Sequence, residues 1–225
     1  MRLAALARAL LLTFLASSAP AFAQYDEPAI SIRPFLTISQ QAFRASKSFD
    51  AVFGETAQPE WGGGVQVIVW EGRIYGQVGA SRFFKTRGEL VGQRVFVSKG
   101  QPFRLGIPLR VKITPLEVTG GYRFTNLWPQ IVPYVGGGYA SYHHVEQSDF
   151  ADPSENLDVT HSGAIFHGGA EFRVSRWLAL AADAQFTHVP GVLGNGGVSL
   201  EFGKTSAAER DLGGWAGRFT VLVGR

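Results

Sequence analysis

Between residues 112 and 173 the chain alternates apolar and polar side chains with a period of two, and no other feature restricts its fold so strongly. In KITPLEVTGGYRF, the residues Thr114, Leu116, Val118, Gly120, Tyr122 and Phe124 share one side of a strand. Pro115, Glu117, Thr119, Gly121 and Arg123 share the other. Successive strand side chains point to opposite faces, so one face is mostly apolar and the other carries opposite charges. SGAIFHGGAEFRV repeats the pattern, with Ala164, Phe166, Gly168, Ala170, Phe172 and Val174 set against Ile165, His167, Gly169, Glu171 and Arg173. A soluble two-layer sheet also alternates. Apolar residues outside and paired charges inside fit a transmembrane β-barrel better.

Residues 1–23 read as an export signal. Arg2 and Arg8 give a positive start, residues 9–16 are almost wholly apolar, and Ala21-Phe22-Ala23 has the small-x-small form of a cleavage site. The apolar run is too short to cross a bilayer as a helix. Residues 24–225 then form one domain, the barrel. The formal charge of +3 owes two units to the signal arginines, so the mature chain is near neutral and carries no basic signature for nucleic acid. With no cysteine, disulfides, thiolate metal sites and cysteine nucleophiles are excluded. Charged residues make up only 17% and there are 28 glycines, a light charge load for a soluble surface.

Alternation and turn residues predict eight strands, at about 29–42, 61–70, 74–84, 109–124, 131–146, 161–174, 178–190 and 215–225. The connections at 71–73, 125–130 and 175–177 are short, whereas 43–60, 85–108, 147–160 and 191–214 are long. Long and short alternate without exception, which is the arrangement of a bacterial outer-membrane barrel with short periplasmic turns and long outer loops. Both termini are then periplasmic. Tryptophan supplies a second line. Trp70, Trp128 and Trp177 sit at the three short turns, and Trp61 and Trp215 sit where long loops meet strands. An indole at a strand end suits the headgroup region. The fold class expected is all-β, an eight-stranded antiparallel up-and-down transmembrane barrel.

The inward positions carry Arg33, Glu117, Arg123, Glu171, Arg173, Asp183 and Arg218, with Gln66, Gln77 and Gln185. Eight strands enclose a space that side chains can fill. Interleaved arginines and carboxylates are expected to close it as ion pairs, since isolated charges there would be poorly solvated. A narrow pore whose salt bridges rearrange is the alternative.

The signal, the eight alternating segments and Pro133-Tyr134-Val135-Gly136-Gly137-Gly138-Tyr139-Ala140 after a short turn resemble the small outer-membrane β-barrel family, with the OmpA transmembrane domain, OmpX and OmpW among its members. The resemblance implies insertion by the outer-membrane assembly machinery and a monomeric barrel. It also implies a role in adhesion, envelope integrity or passage of small apolar molecules. The chain departs from the family in ending Leu222-Val223-Gly224-Arg225 rather than on an aromatic residue, and no periplasmic domain follows the eighth segment.

Some barrels of this size modify lipid A with His, Ser and an acid near the rim. Here His143, His144, Glu146 and Ser148 lie near one strand end, with His161-Ser162 opposite. A nucleophile needs an oriented base within hydrogen-bond reach, and this spacing permits that without requiring it; a polar rim is the plainer reading. Asp149, Asp152, Glu155 and Asp158 could hold a divalent cation but read more simply as a solvated acidic loop. Lys85, Arg87, Arg94 and Lys99 could contact lipopolysaccharide phosphates. The glycine triplets at 62–64 and 136–138 do not precede a helix as phosphate loops require, and are expected to relieve crowding in the barrel wall. The leading expectation is a non-enzymatic barrel without cofactor or bound metal. Its partners are outer-membrane lipid and lipopolysaccharide, and its role is structural or surface-interacting through four loops. A carrier for apolar molecules, a rim-sited lipid A hydrolase and a secreted lipocalin-like barrel are the alternatives.

Overall fold

The computed structural model describes residues 28–98, 101–148, 150, 156–191 and 211–224. The expected export signal, residues 1–23, lies outside them. Among the described residues nine strands form: β1 (Ile30–Phe43), β2 (Ala57–Val69), β3 (Ile74–Phe83), β4 (Leu90–Ser98), β5 (Gln101–Arg123), β6 (Ile131–Gln147), β7 (Leu157–Arg173), β8 (Leu178–His188) and β9 (Gly214–Val223). Each barrel strand pairs antiparallel with its chain neighbour, except that β3 pairs with β5, and β1 with β9 closes the ring. Eight strands therefore make the barrel. The ninth, β4, pairs only with β5, beyond the part of β5 that β3 occupies.

Closure places the two faces as the alternation requires. Ile32, Leu36, Ile38, Val78, Leu116, Val118, Phe166 and Phe219 are all exposed on the outside. Arg33, Gln66, Thr119, Arg123, Glu171 and Gln185 are buried inside. Cross-strand register builds the outer belt row by row: Val118 stands opposite Val78 on one side and Tyr139 on the other. Aromatic and branched pairs of this kind stabilise a sheet.

Two of the expected long loops are ordered elements. Residues 85–108 contain β4 and the start of β5, so the fourth barrel strand begins at Gln101 and runs for 23 residues. A membrane-crossing strand needs only about 9–11 residues, so the β4–β5 ribbon stands beyond the barrel wall. Its polar interruptions, Gln93 and Arg94, hide the alternation in the sequence; pairing with β5 supplies the structure. Residues 43–60 contain a helix, α1 (Ser46–Phe53), ended by Gly54 in the left-handed region with its N–H on the Asp50 carbonyl. Eight residues are too few for a helix stable by itself; packing of Phe49 holds it. The sixth barrel strand, β7, also starts earlier than expected, at Leu157, because β6 pairs with it as far as Glu146 opposite Leu157.

Candidate functional site: the closed lumen and its loop-end cap

The lumen is built in three layers. Nearest the short turns, Glu171 accepts from Arg33 at 2.8 Å and from Arg123 through both oxygens at 3.0 and 3.1 Å. Arg123 also donates to the Gly72 carbonyl at 2.6 Å, which ties the cluster to the first turn. Arg33, Arg123 and Glu171 come from β1, β5 and β7, so the ion cluster bridges the barrel across its width. Arg173 lies half-buried on the same inward face.

In the middle layer Arg218 donates from Nε to Asp183 at 2.7 Å and lies 3.5 Å from Glu117. Tyr134 donates to the other Asp183 oxygen at 2.8 Å. Gln185 donates to Glu117 at 3.0 Å. Arg218 also reaches His167 Nδ1 at 2.7 Å, and His167 Nε2 lies 2.8 Å from the Tyr75 hydroxyl. A guanidinium can only donate, so Nδ1 must accept and the imidazole proton sits on Nε2, facing Tyr75. Tyr75 crosses the lumen because the wall is bare opposite it: a Cβ on Gly136 would collide with its hydroxyl. That close approach accounts for one glycine of the 136–138 triplet.

Alongside these groups runs a cavity of about 60 Å³, bordered from Glu171 at the turn end through Glu117 and Arg218 to Phe43 and Ile113 at the cap. A space of that size holds a few waters.

The third layer, at the loop end, is apolar. Phe43, Phe49, Phe83, Leu90, Val111, Ile113, Tyr142, Ile165, Val189 and Leu212 form one buried cluster, with Phe53 of α1 against it. Phe43 and Phe49 stack with ring centroids 3.9 Å apart. A lumen closed by charge throughout was expected; ion pairs close only the turn end and middle, and a folded apolar cap closes the loop end. The cap had no signature in the sequence because it joins β1, α1, β3–β7 and the chain just past β8 and just before β9.

One carboxylate pins this cap. Asp211 accepts from Arg44 at 2.7 Å, from His188 Nδ1 at 2.6 Å and from the Val189 and Gly213 amides at 2.8 Å each. It thereby joins the ends of β1, β8 and β9. Burial raises the Asp211 carboxyl, but the Val189 amide, His188 and the Gly213 amide outweigh it and hold the group below its usual value. A depressed carboxyl contributes stability that is present above its unfolded value and lost as pH falls through its folded value. The stability gap between the native protein and Asp211→Asn is therefore expected to be full above about pH 4 and to shrink below it. Denaturant unfolding at stepped pH checks this; a gap independent of pH refutes it.

Of the rim residues, Ser148 is turned away from the nearby histidines. His144 Nε2 meets Glu146 at 3.0 Å, but the Ser148 hydroxyl donates to the Pro108 carbonyl at 2.8 Å, away from the histidine. His143 points outward and meets Asp158 at 2.8 Å. Among the described residues no three His, Asp or Glu side chains gather as a metal site; Asp149, Asp152 and Glu155 lie outside those residues. Of the loop cations, Lys85 pairs with Glu55 at 3.6 Å, Arg94 belongs to β4, and Lys99 lies outside the described residues. Trp70, Trp128 and Trp177 are exposed at the turn end, with Trp61 and Trp215 exposed nearer the loop end.

No family model and no curated protein matches the sequence. Similarity to solved structures is found at low identity. The N-terminal β-barrel domain of Pseudomonas aeruginosa OprF has a TM-score of 0.47 at 9% identity, over 87% of this chain and 97% of that one. Neisserial surface protein A gives 0.47 at 10% identity, over 87% and 97%. OprG from Pseudomonas aeruginosa gives 0.46 at 9% identity, over 87% and 95%. The chain is similar in fold to small outer-membrane β-barrels.

Proposed function

We propose that this chain is a closed, monomeric outer-membrane barrel, without enzymatic activity, whose loop-end cap is its working surface for interaction. The observation that carries the reading is the pairing of an apolar outer wall with a lumen sealed at both ends. An exposed apolar band around a whole barrel needs lipid to cover it, since soluble monomers rarely expose more than a few hundred Å² in one patch. The lipocalin alternative needs the reverse arrangement, with the apolar face lining the cavity. Ring closure removes the free strand edges through which barrels would otherwise associate. In this reading residues 1–23 direct export, the outer-membrane assembly machinery inserts the barrel, and both termini lie in the periplasm. The ordered α1 and β4–β5 ribbon then face outward with the lipopolysaccharide.

The lumen layers favour a plug over a pore or carrier. Purified protein in planar bilayers is expected to be electrically silent. Steady single-channel currents from the unmodified protein would overturn the closed reading and establish the pore. Recovery of the protein as a soluble periplasmic species, with no heat-dependent change in gel migration, would overturn the membrane reading itself.

A further inference from the structure

The outer wall is not uniform around the barrel. Just beyond the apolar belt on the loop side, β3 carries Arg82 and β5 carries Lys112, both exposed and both on the outward face. The register brings them to neighbouring strands. Ala80 pairs with Leu116, so Arg82 and Thr114 are the next outward positions, and Lys112 follows. Arg82 is held in place by Trp61, its cross-strand partner, with the guanidinium 4.2 Å from the ring centroid. Directly below stand Val78, Leu116 and Val118, about half exposed. On the opposite side the outward residues at this end include Ser162, Phe186, His188 and Trp215, and His188 is committed to Asp211. Arg44 does lie over Phe186, but its charge is committed to Asp211.

A ligand for the β3–β5 sector must satisfy two adjoining surfaces at once, a pair of cations and an apolar wall. We propose that this sector holds an anionic lipid, with its phosphate on Arg82 and Lys112 and its acyl chains along Val78, Leu116 and Val118. The inference rests on the membrane reading above. A guanidinium stacked on an indole keeps its N–H edge free for phosphate oxygens while its ring-facing side is covered.

The test places the detergent-purified protein in phosphatidylcholine vesicles doped with brominated phosphatidylglycerol or brominated phosphatidylcholine. Quenching is read at Trp61, as the difference between the protein and its Trp61→Phe variant. A local preference for phosphatidylglycerol of roughly five-fold per engaged cation is expected. Arg82→Gln with Lys112→Gln should bring the ratio close to one, while Arg176→Gln beside Trp177 at the turn end leaves it unchanged. Heat-dependent gel migration checks that each variant folds; if Arg82→Gln does not, Lys112→Gln alone carries the test. Equal quenching by the two lipids overturns the proposal, as does a preference that survives the double change. A preference abolished by inorganic phosphate at matched ionic strength also overturns it, because the sector then reads a free anion. Quenching by neither lipid overturns the membrane reading instead.

Discussion

Replacing Glu171 by Ala is expected to destabilise the refolded barrel by about 3–5 kcal/mol, because it leaves two buried arginines without their shared counter-ion. Arg33 and Arg123 both end on this one carboxylate, and the Glu171 side chain is 2% exposed. Glu117 is a weaker target. It meets Arg218 at 3.5 Å, while Arg218 keeps Asp183 at 2.7 Å, so its loss strands no charge completely. Denaturant titration of the folded, heat-modifiable band measures the effect. A joint change of Glu171→Ala and Arg33→Met should recover part of the loss, since one of the two arginines that lose this carboxylate is then gone. A single change costing under about 1 kcal/mol would mean that water screens the cluster, in the manner of an exposed pair. The three-layer seal would then fail at its turn end.

Val118→Arg is expected to cost about 2–4 kcal/mol, the cost of placing a cation at the lipid-facing midplane. Val118 is half exposed and lies mid-strand between Val78 and Tyr139. Phe172→Arg should cost less, because Phe172 pairs with Ile131 and Leu180 close to the turn end, where an arginine can reach the headgroups. The order of the two costs tests depth, and their presence tests face. Unfolding in lipid vesicles decides both. If Val118→Arg proves harmless there, lipid does not cover this wall.

Both predictions begin in a pattern visible without coordinates. Which side of β5 meets the lumen follows from counting by twos from Glu117, because strand side chains alternate whatever the partner strand is. Short turns at 71–73, 125–130 and 175–177 were legible for a similar reason: each joins two alternating runs with few residues to spare. The inward charges could be named individually, though not their partners. That Glu171 takes two arginines while Arg218 spans Asp183 and Glu117 depends on the register of strands distant in the chain.

Long-range closure decided the rest. Tyr75, Tyr134 and His167 lie on inward positions, yet only closure of the ring brings them together around Arg218. Residues 85–108 hold little alternation by themselves, and β4 exists because β5 offers its edge. Phe43, Phe49 and Phe83 form a cap because β1, α1 and β3 meet over the barrel mouth. Asp211 gains its role from Arg44 and His188, which are 167 and 23 residues away along the chain. The sequence by itself determined the faces, since a period of two is a local property of the backbone. Only the tertiary structure decided what seals the barrel, because ion pairing and apolar packing are set by which strands closure makes neighbours.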